Sequence, residues 1–84
     1  MTKEVVVKNQ HGLHASISAK IVQAASKYSS DIFMYHGKNK IDIKSILGLM
    51  SLAVTAGERV TIETIGDDAA EALDAITEIV GQTE

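Results

Sequence analysis

The apolar residues of this chain switch repeatedly between strand-like and helix-like spacing, and the order of those switches restricts the fold more than any other property. Val5, Val6 and Val7 make Thr2–Lys8 a β-branched strand. From Ala15 the spacing changes: Ile17, Ile21, Ala24, Ala25 and Tyr28 share one helical face, with Lys20, Gln23 and Lys27 elsewhere. Ser29, Ser30 and Asp31 end that helix. Ile32–Ile43 reads as a hairpin whose register can be argued. With Gly37 and Lys38 at the centre of the turn, Met34 faces Ile41 and Ile32 faces Ile43, so apolar residues meet on one face. The competing centre, His36-Gly37, sets Met34 against Asn39. A Gly-X centre also suits a type II′ turn.

Ile46–Ala53 is a short helix with Ser45 at its N-cap and Gly57 as a stop beyond it. Glu58–Ile65 alternates, with Val60 and Ile62 on one face and Thr61 and Glu63 on the other. Asp68 and Glu71 have capping-box spacing ahead of the stripe Ala69, Leu73, Ile76 and Val80. The order strand, helix, strand, strand, helix, strand, helix predicts an α+β fold. Its simplest form is one antiparallel sheet with helices packed on a single face and the Thr61/Glu63 face open to water.

Length and composition narrow the possibilities. At 84 residues the chain has apolar surface for one core, so residues 1–84 read as a single domain. Without cysteine it has neither disulfides nor thiolate metal ligands, and it must fold on packing alone. A cytoplasmic address fits that composition. The opening Met-Thr-Lys-Glu carries charge where a signal peptide needs an apolar run, and no stretch is long enough for a bilayer, so no membrane role is expected. A net charge of −3 argues against direct nucleic-acid binding. Proline is absent.

Three places carry chemistry. In His11-Gly12-Leu13-His14-Ala15-Ser16, His14 stands just before a helix, where unpaired backbone N–H groups and the positive end of the helix dipole favour anions. The position would stabilise a phosphoryl group on the imidazole; the plainer alternative is a histidine filling the helix-entry turn. A metal site from His11 and His14 lacks neighbouring acids or thiols, so no metal is expected. In the short helix, Ile46, Leu47 and Met50 lie on one side and Leu49, Leu52 and Ala53 on the other. A helix this short can bury one of those faces, which leaves an apolar patch for a partner unless the helix is wedged in and buried all round. Ser45 between them caps the helix, and a phosphate on it would set negative charge beside the patch.

Gly12-Leu13-His14-Ala15, Val22-Gln23-Ala24-Ala25-Ser26-Lys27-Tyr28 and Lys44-Ser45-Ile46-Leu47-Gly48-Leu49-Met50-Ser51-Leu52 together resemble the HPr family of the sugar phosphotransferase system. The resemblance covers essentially the whole chain, and the Lys-Ser-Ile-x-Gly-x-Met-Ser-Leu block is similar to the version in low-GC Gram-positive bacteria. It implies an HPr-like open-faced β-sandwich, a four-stranded antiparallel sheet with three helices on one face in the order βαββαβα. It also implies that His14 accepts a phosphoryl group from enzyme I, which draws on phosphoenolpyruvate, and passes it to IIA domains. Ala15, Ser16 and Ile17 would support that phosphate. Ser45 would be phosphorylated from ATP by HPr kinase/phosphorylase, slowing the histidine route and creating a ligand for catabolite control protein A. Ile46, Leu47 and Met50 would be the shared docking patch. No cofactor is implied, and the role is that of a carrier rather than a turnover enzyme.

The chain departs from the family at one point. Members nearly always read His-x-Arg-Pro-Ala, whereas this chain reads His14-Ala15-Ser16-Ile17-Ser18. Hydrogen bonds to charged groups are worth ~1.5–3 kcal/mol, so losing the arginine would slow transfer by roughly ten- to a hundredfold. Ser16 keeps a hydroxyl donor, and Ile17 restores a backbone N–H that proline lacks. Lys20 is the next cation, but a point charge does not copy an arginine fork. The alternative reading is a regulatory module resembling Crh, which works through the phosphoserine and has given up the histidine route. Crh chains usually replace the histidine and keep Arg-Pro, the reverse of the pattern here.

Overall fold

The alternation of Val60 and Ile62 with Thr61 and Glu63 decides which way the sheet faces. In the computed structural model, which describes residues 1–8, 15–51 and 54–82, seven elements follow one another. They are β1 (Thr2–Val6), α1 (Ala15–Ala25), β2 (Asp31–His36), β3 (Asn39–Asp42), α2 (Ile46–Ser51), β4 (Arg59–Ile65) and α3 (Ala69–Val80). The strands form one antiparallel sheet in the order β1-β4-β2-β3. This is the βαββαβα order expected from the residue spacing.

The three helices lie on one face of the sheet. Ile32, Met34, Val60 and Ile62 point into that side and are buried against Ile17, Ile21 and Ala25 of α1, Leu49 of α2, and Ala72, Leu73, Ile76 and Val80 of α3. The opposite face carries Phe33, Tyr35, Thr61 and Glu63. There the Tyr35 hydroxyl donates to Glu63 Oε1 at 2.7 Å, and the Lys40 ammonium lies 4.4 Å from the Phe33 ring centroid. These contacts dress the open face in polar and cation–π interactions instead of a second layer of helices.

The hairpin has the register that its apolar residues require. Met34 pairs with Ile41 and His36 with Asn39, which puts Gly37 and Lys38 at the turn. Gly37 has φ +60, and no described non-glycine residue has positive φ. Positive φ at the first central residue alone is the type II′ pattern. β1 is shorter than expected: Val7 is buried but bonds outside the ladder, its N–H donating to the Glu58 carbonyl at 2.9 Å.

One expectation fails. Asp68 does not cap α3: its side chain makes no cap hydrogen bond. The carboxylate instead accepts the backbone N–H groups of Ser29 at 2.9 Å and Ser30 at 3.0 Å, together with the Ser30 hydroxyl. Those amides follow the end of α1, and a charged acceptor across the fold satisfies two at once, where a local cap would satisfy one. Gly66 makes the approach possible. Its φ is +147, and a Cβ there would stand 2.8 Å from the Ser30 Cα. The Ser30 hydroxyl, followed by the Ser29 N–H, holds the Asp68 carboxyl below its usual range.

Glu58 plays a similar part at the entry to β4. It accepts the Thr55 N–H at 2.5 Å and the Thr55 hydroxyl at 2.9 Å, and its other oxygen lies 3.0 Å from His36 Nε2. The Thr55 N–H first, then His36, lower its pKa from 4.5 to about 2. Both carboxylates titrate lower in the folded chain than in the unfolded one, so their stabilisation is present above the unfolded value and is lost as pH falls through the folded value. The melting temperature is therefore expected to fall between pH 4.5 and about 2. The fall should be shallower in Glu58→Gln and Asp68→Asn, as followed by circular dichroism; equal slopes in all three proteins would contradict the assignment.

Candidate functional site

The residues singled out from the sequence fall at the starts of two helices. α1 begins at Ala15, directly after His14 in the chain. His11, Gly12, Leu13 and His14 lie outside the described residues. Ala15, Ser16 and Ile17 are the first three residues of the helix, where backbone N–H groups lack helical acceptors. The side chains of Ser16 and Ile17 are placed differently. Ser16 is exposed, whereas Ile17 is only 1% exposed and belongs to the core. Any support that Ile17 gives an anion is therefore through its backbone alone.

The second set surrounds α2. Asp42 Oδ1 accepts the Lys44 N–H at 2.9 Å, and the Asp42 carbonyl accepts the Ser45 N–H at 3.0 Å. Ser45 Oγ accepts the Gly48 N–H at 3.2 Å, so the serine caps the helix as its position suggests. Gly48 lets this first turn press on β3, since a Cβ there would meet Ile41 Cγ2 at 2.9 Å. Leu49 alone is buried among the residues of α2. Ile46, Leu47 and Met50 are 39%, 80% and 51% exposed. The apolar surplus thus forms a surface patch next to the exposed Ser45, while Leu52 and Ala53 lie outside the described residues.

Two contacts here were not anticipated. Lys44 Nζ reaches back to donate to the Tyr28 carbonyl at 2.9 Å, tying the approach to α2 to the chain just after α1. The Asp42 side chain closes the turn before it; an aspartate two residues ahead of the amide it binds is the available sequence signal for that contact. Among the described residues no group of three or more metal-ligating side chains comes together, and no helix is long and apolar enough to cross a membrane.

The family model described as the PTS HPr component phosphorylation site matches residues 1–82. The chain belongs to the HPr family. Phosphocarrier protein HPr of Cupriavidus necator is 39% identical over 80 residues, which are 95% of this chain and 90% of that protein. The HPr-like protein Crh of Halalkalibacterium halodurans is 43% identical over 74 residues, 88% of each chain. The crystal structure of a phosphocarrier protein HPr from Bacillus anthracis matches with a TM-score of 0.91 at 41% identity, covering 95% of both chains.

Within the HPr frame, the departures after His14 have distinct structural settings. Ser16 points to solvent, so a larger side chain fits there without disturbing the core. Ile17 fills core volume. Ser18, where the family pattern has alanine, is buried, and its hydroxyl has no hydrogen-bond partner among the described residues. An unpaired buried hydroxyl is destabilising. Ser18→Ala is accordingly expected to stabilise the protein by about 1 kcal/mol. That corresponds to a rise in melting temperature of about 4–8 °C for a domain of this size. An unchanged or lowered midpoint would mean that the hydroxyl is satisfied in solution.

Proposed function

We propose that this HPr-family protein is a phosphocarrier of the phosphoenolpyruvate-dependent sugar phosphotransferase system. His14 accepts the phosphoryl group from enzyme I and passes it to IIA domains, and phosphorylation of Ser45 by HPr kinase/phosphorylase regulates that traffic. The observation that carries the reading is His14 directly ahead of α1 in a chain whose relatives include proteins named phosphocarrier protein HPr. An imidazole nitrogen attacks phosphorus and the bond to the donor breaks. The negative oxygens then meet the N–H groups of Ala15, Ser16 and Ile17 in the first helical turn. Both phosphorylations are consistent with a single domain working in the cytoplasm.

Incubation with enzyme I and phosphoenolpyruvate should give acid-labile phosphohistidine that disappears in His14→Ala. No label under conditions that label a standard HPr would sink the reading. Because Ser16 is exposed, Ser16→Arg should supply the missing charged donor and raise the rate of His14 phosphorylation by roughly ten- to a hundredfold. Ile17→Pro is the poorer test, since it also removes a buried side chain.

A second reading is favoured by the α2 region. The exposed, capping Ser45 beside exposed Ile46, Leu47 and Met50 suits a Crh-like regulatory module in carbon catabolite repression. The Arg-Pro pair that assists the histidine is absent, and Crh of Halalkalibacterium halodurans is among the relatives. In that role the seryl-phosphorylated form binds catabolite control protein A through the patch, with little or no histidine transfer. ATP-dependent labelling by HPr kinase/phosphorylase should vanish in Ser45→Ala. Label on Ser45 without label on His14 favours the Crh-like role, and label on both favours the regulated carrier.

A further inference from the structure

We infer that Asp42 and Lys44 are positioning residues for the phosphorylation of Ser45, an inference that rests on the reading of Ser45 as a phosphorylation site. Only Ile43, Lys44 and Ser45 separate β3 from α2. A short connection holds its shape when its polar groups are tied, and here the three backbone N–H groups and the Lys44 ammonium all have acceptors.

Ile43 is buried, and its N–H donates to the Ile32 carbonyl of β2 at 3.1 Å. Asp42 closes the turn twice, through its side chain to the Lys44 N–H at 2.9 Å and through its carbonyl to the Ser45 N–H at 3.0 Å. Lys44 Nζ reaches the Tyr28 carbonyl at 2.9 Å, across the gap to the end of α1. The connection that carries Ser45 is therefore held by the sheet, by its own turn and by the chain just after α1.

The consequence for Ser45 lies in how its oxygen is used. Oγ serves the cap as an acceptor from the Gly48 N–H, and the cap does not consume the hydroxyl proton. In the transfer, Oγ forms a bond to the γ-phosphorus of ATP while the bond from that phosphorus to ADP breaks. The hydroxyl proton leaves to a base of the kinase. Transfer of this kind depends on holding the attacking oxygen in line, and displacement by about 1 Å costs up to a hundredfold in rate. Asp42 and Lys44 supply that constraint without contacting the nucleotide. The exposed patch of Ile46, Leu47 and Met50 still presents a kinase with its docking surface when either tie is cut.

The test measures initial rates of Ser45 phosphorylation by HPr kinase/phosphorylase and ATP for the wild type, Asp42→Ala, Asp42→Asn, Lys44→Met and Ser45→Ala. Asp42→Asn keeps a side-chain oxygen for the Lys44 N–H, and Lys44→Met keeps the length of the stem without the donor. We expect kcat to fall about tenfold in Asp42→Ala and Lys44→Met with KM changed by less than about twofold, and Asp42→Asn to stay near wild type. Wild-type kcat in both Asp42→Ala and Lys44→Met overturns the inference. So does a loss in Asp42→Asn as large as in Asp42→Ala, because charge and not the turn would then be at work. If Asp42→Ala does not fold, Lys44→Met decides alone. A wild type that takes no label at Ser45 fails the underlying reading, and the inference falls with it. A labelled wild type with indifferent variants fails the inference only.

Discussion

Met34 holds the centre of this fold. It lies on β2, opposite Ile41 of β3 on one side and Ile62 of β4 on the other, and it is buried under the helices. A slip of one residue in β2 would turn Ile32 and Met34 to water and drive Phe33 and Tyr35 beneath the helices, so the pairing has one tolerable register. The type II′ turn at Gly37 and Lys38 enforces the same register from the other end. Once β3 is fixed, its last residue is Asp42 and the next apolar residue, Ile43, must turn inward. The start of α2, and Ser45 with it, is therefore brought close to the sheet edge, where the ties of Asp42 and Lys44 hold the turn.

The small size of the protein explains why a patch is left over. α2 spans six residues and buries Leu49 alone. The sheet is already covered by α1 and α3, whose buried residues fill most of the remaining core. Ile46, Leu47 and Met50 consequently stay at the surface, where exposed apolar side chains grouped on one short helix carry more information than scattered ones. Gly48 contributes by its lack of a side chain, letting the helix sit on Ile41 with Leu49 inside.

Much of this was legible in the residues, and what was not has a common cause. The hairpin register follows from pairing Met34 with Ile41, and the α3 stripe from the spacing of Leu73, Ile76 and Val80. Asp68 misled because its spacing to Glu71 is local evidence, whereas its actual partners, Ser29 and Ser30, are nearly forty residues away. The Lys44 contact with Tyr28 is likewise invisible until the fold brings α1 and α2 together. Ser18 is different. It lies seven residues before Ala25 and three before Ile21, on the buried side by helical spacing, and it is buried there although it is polar. At the histidine, the motif raises an expectation of phosphoryl chemistry, and His14 itself lies outside the described residues.

The departure after His14 joins the site to the core. A proline at position 17 would have no N–H to offer an anion at the helix start, while Ile17 offers one and also fills the space between α1 and the sheet. Ser16 next to it is exposed. The two positions therefore act on different quantities. On the proposed carrier reading, position 16 sets the charge beside a phosphohistidine, whereas position 17 sets a backbone donor and part of the buried volume of α1. Ile17 is part of the buried core, which matters in a protein without disulfides. A chain with Ser at 16 has an uncharged side chain where the family pattern has arginine. On that reading a change at position 16 acts on transfer chemistry, while the Ser45 region is held by contacts of its own from Asp42, Lys44 and Gly48.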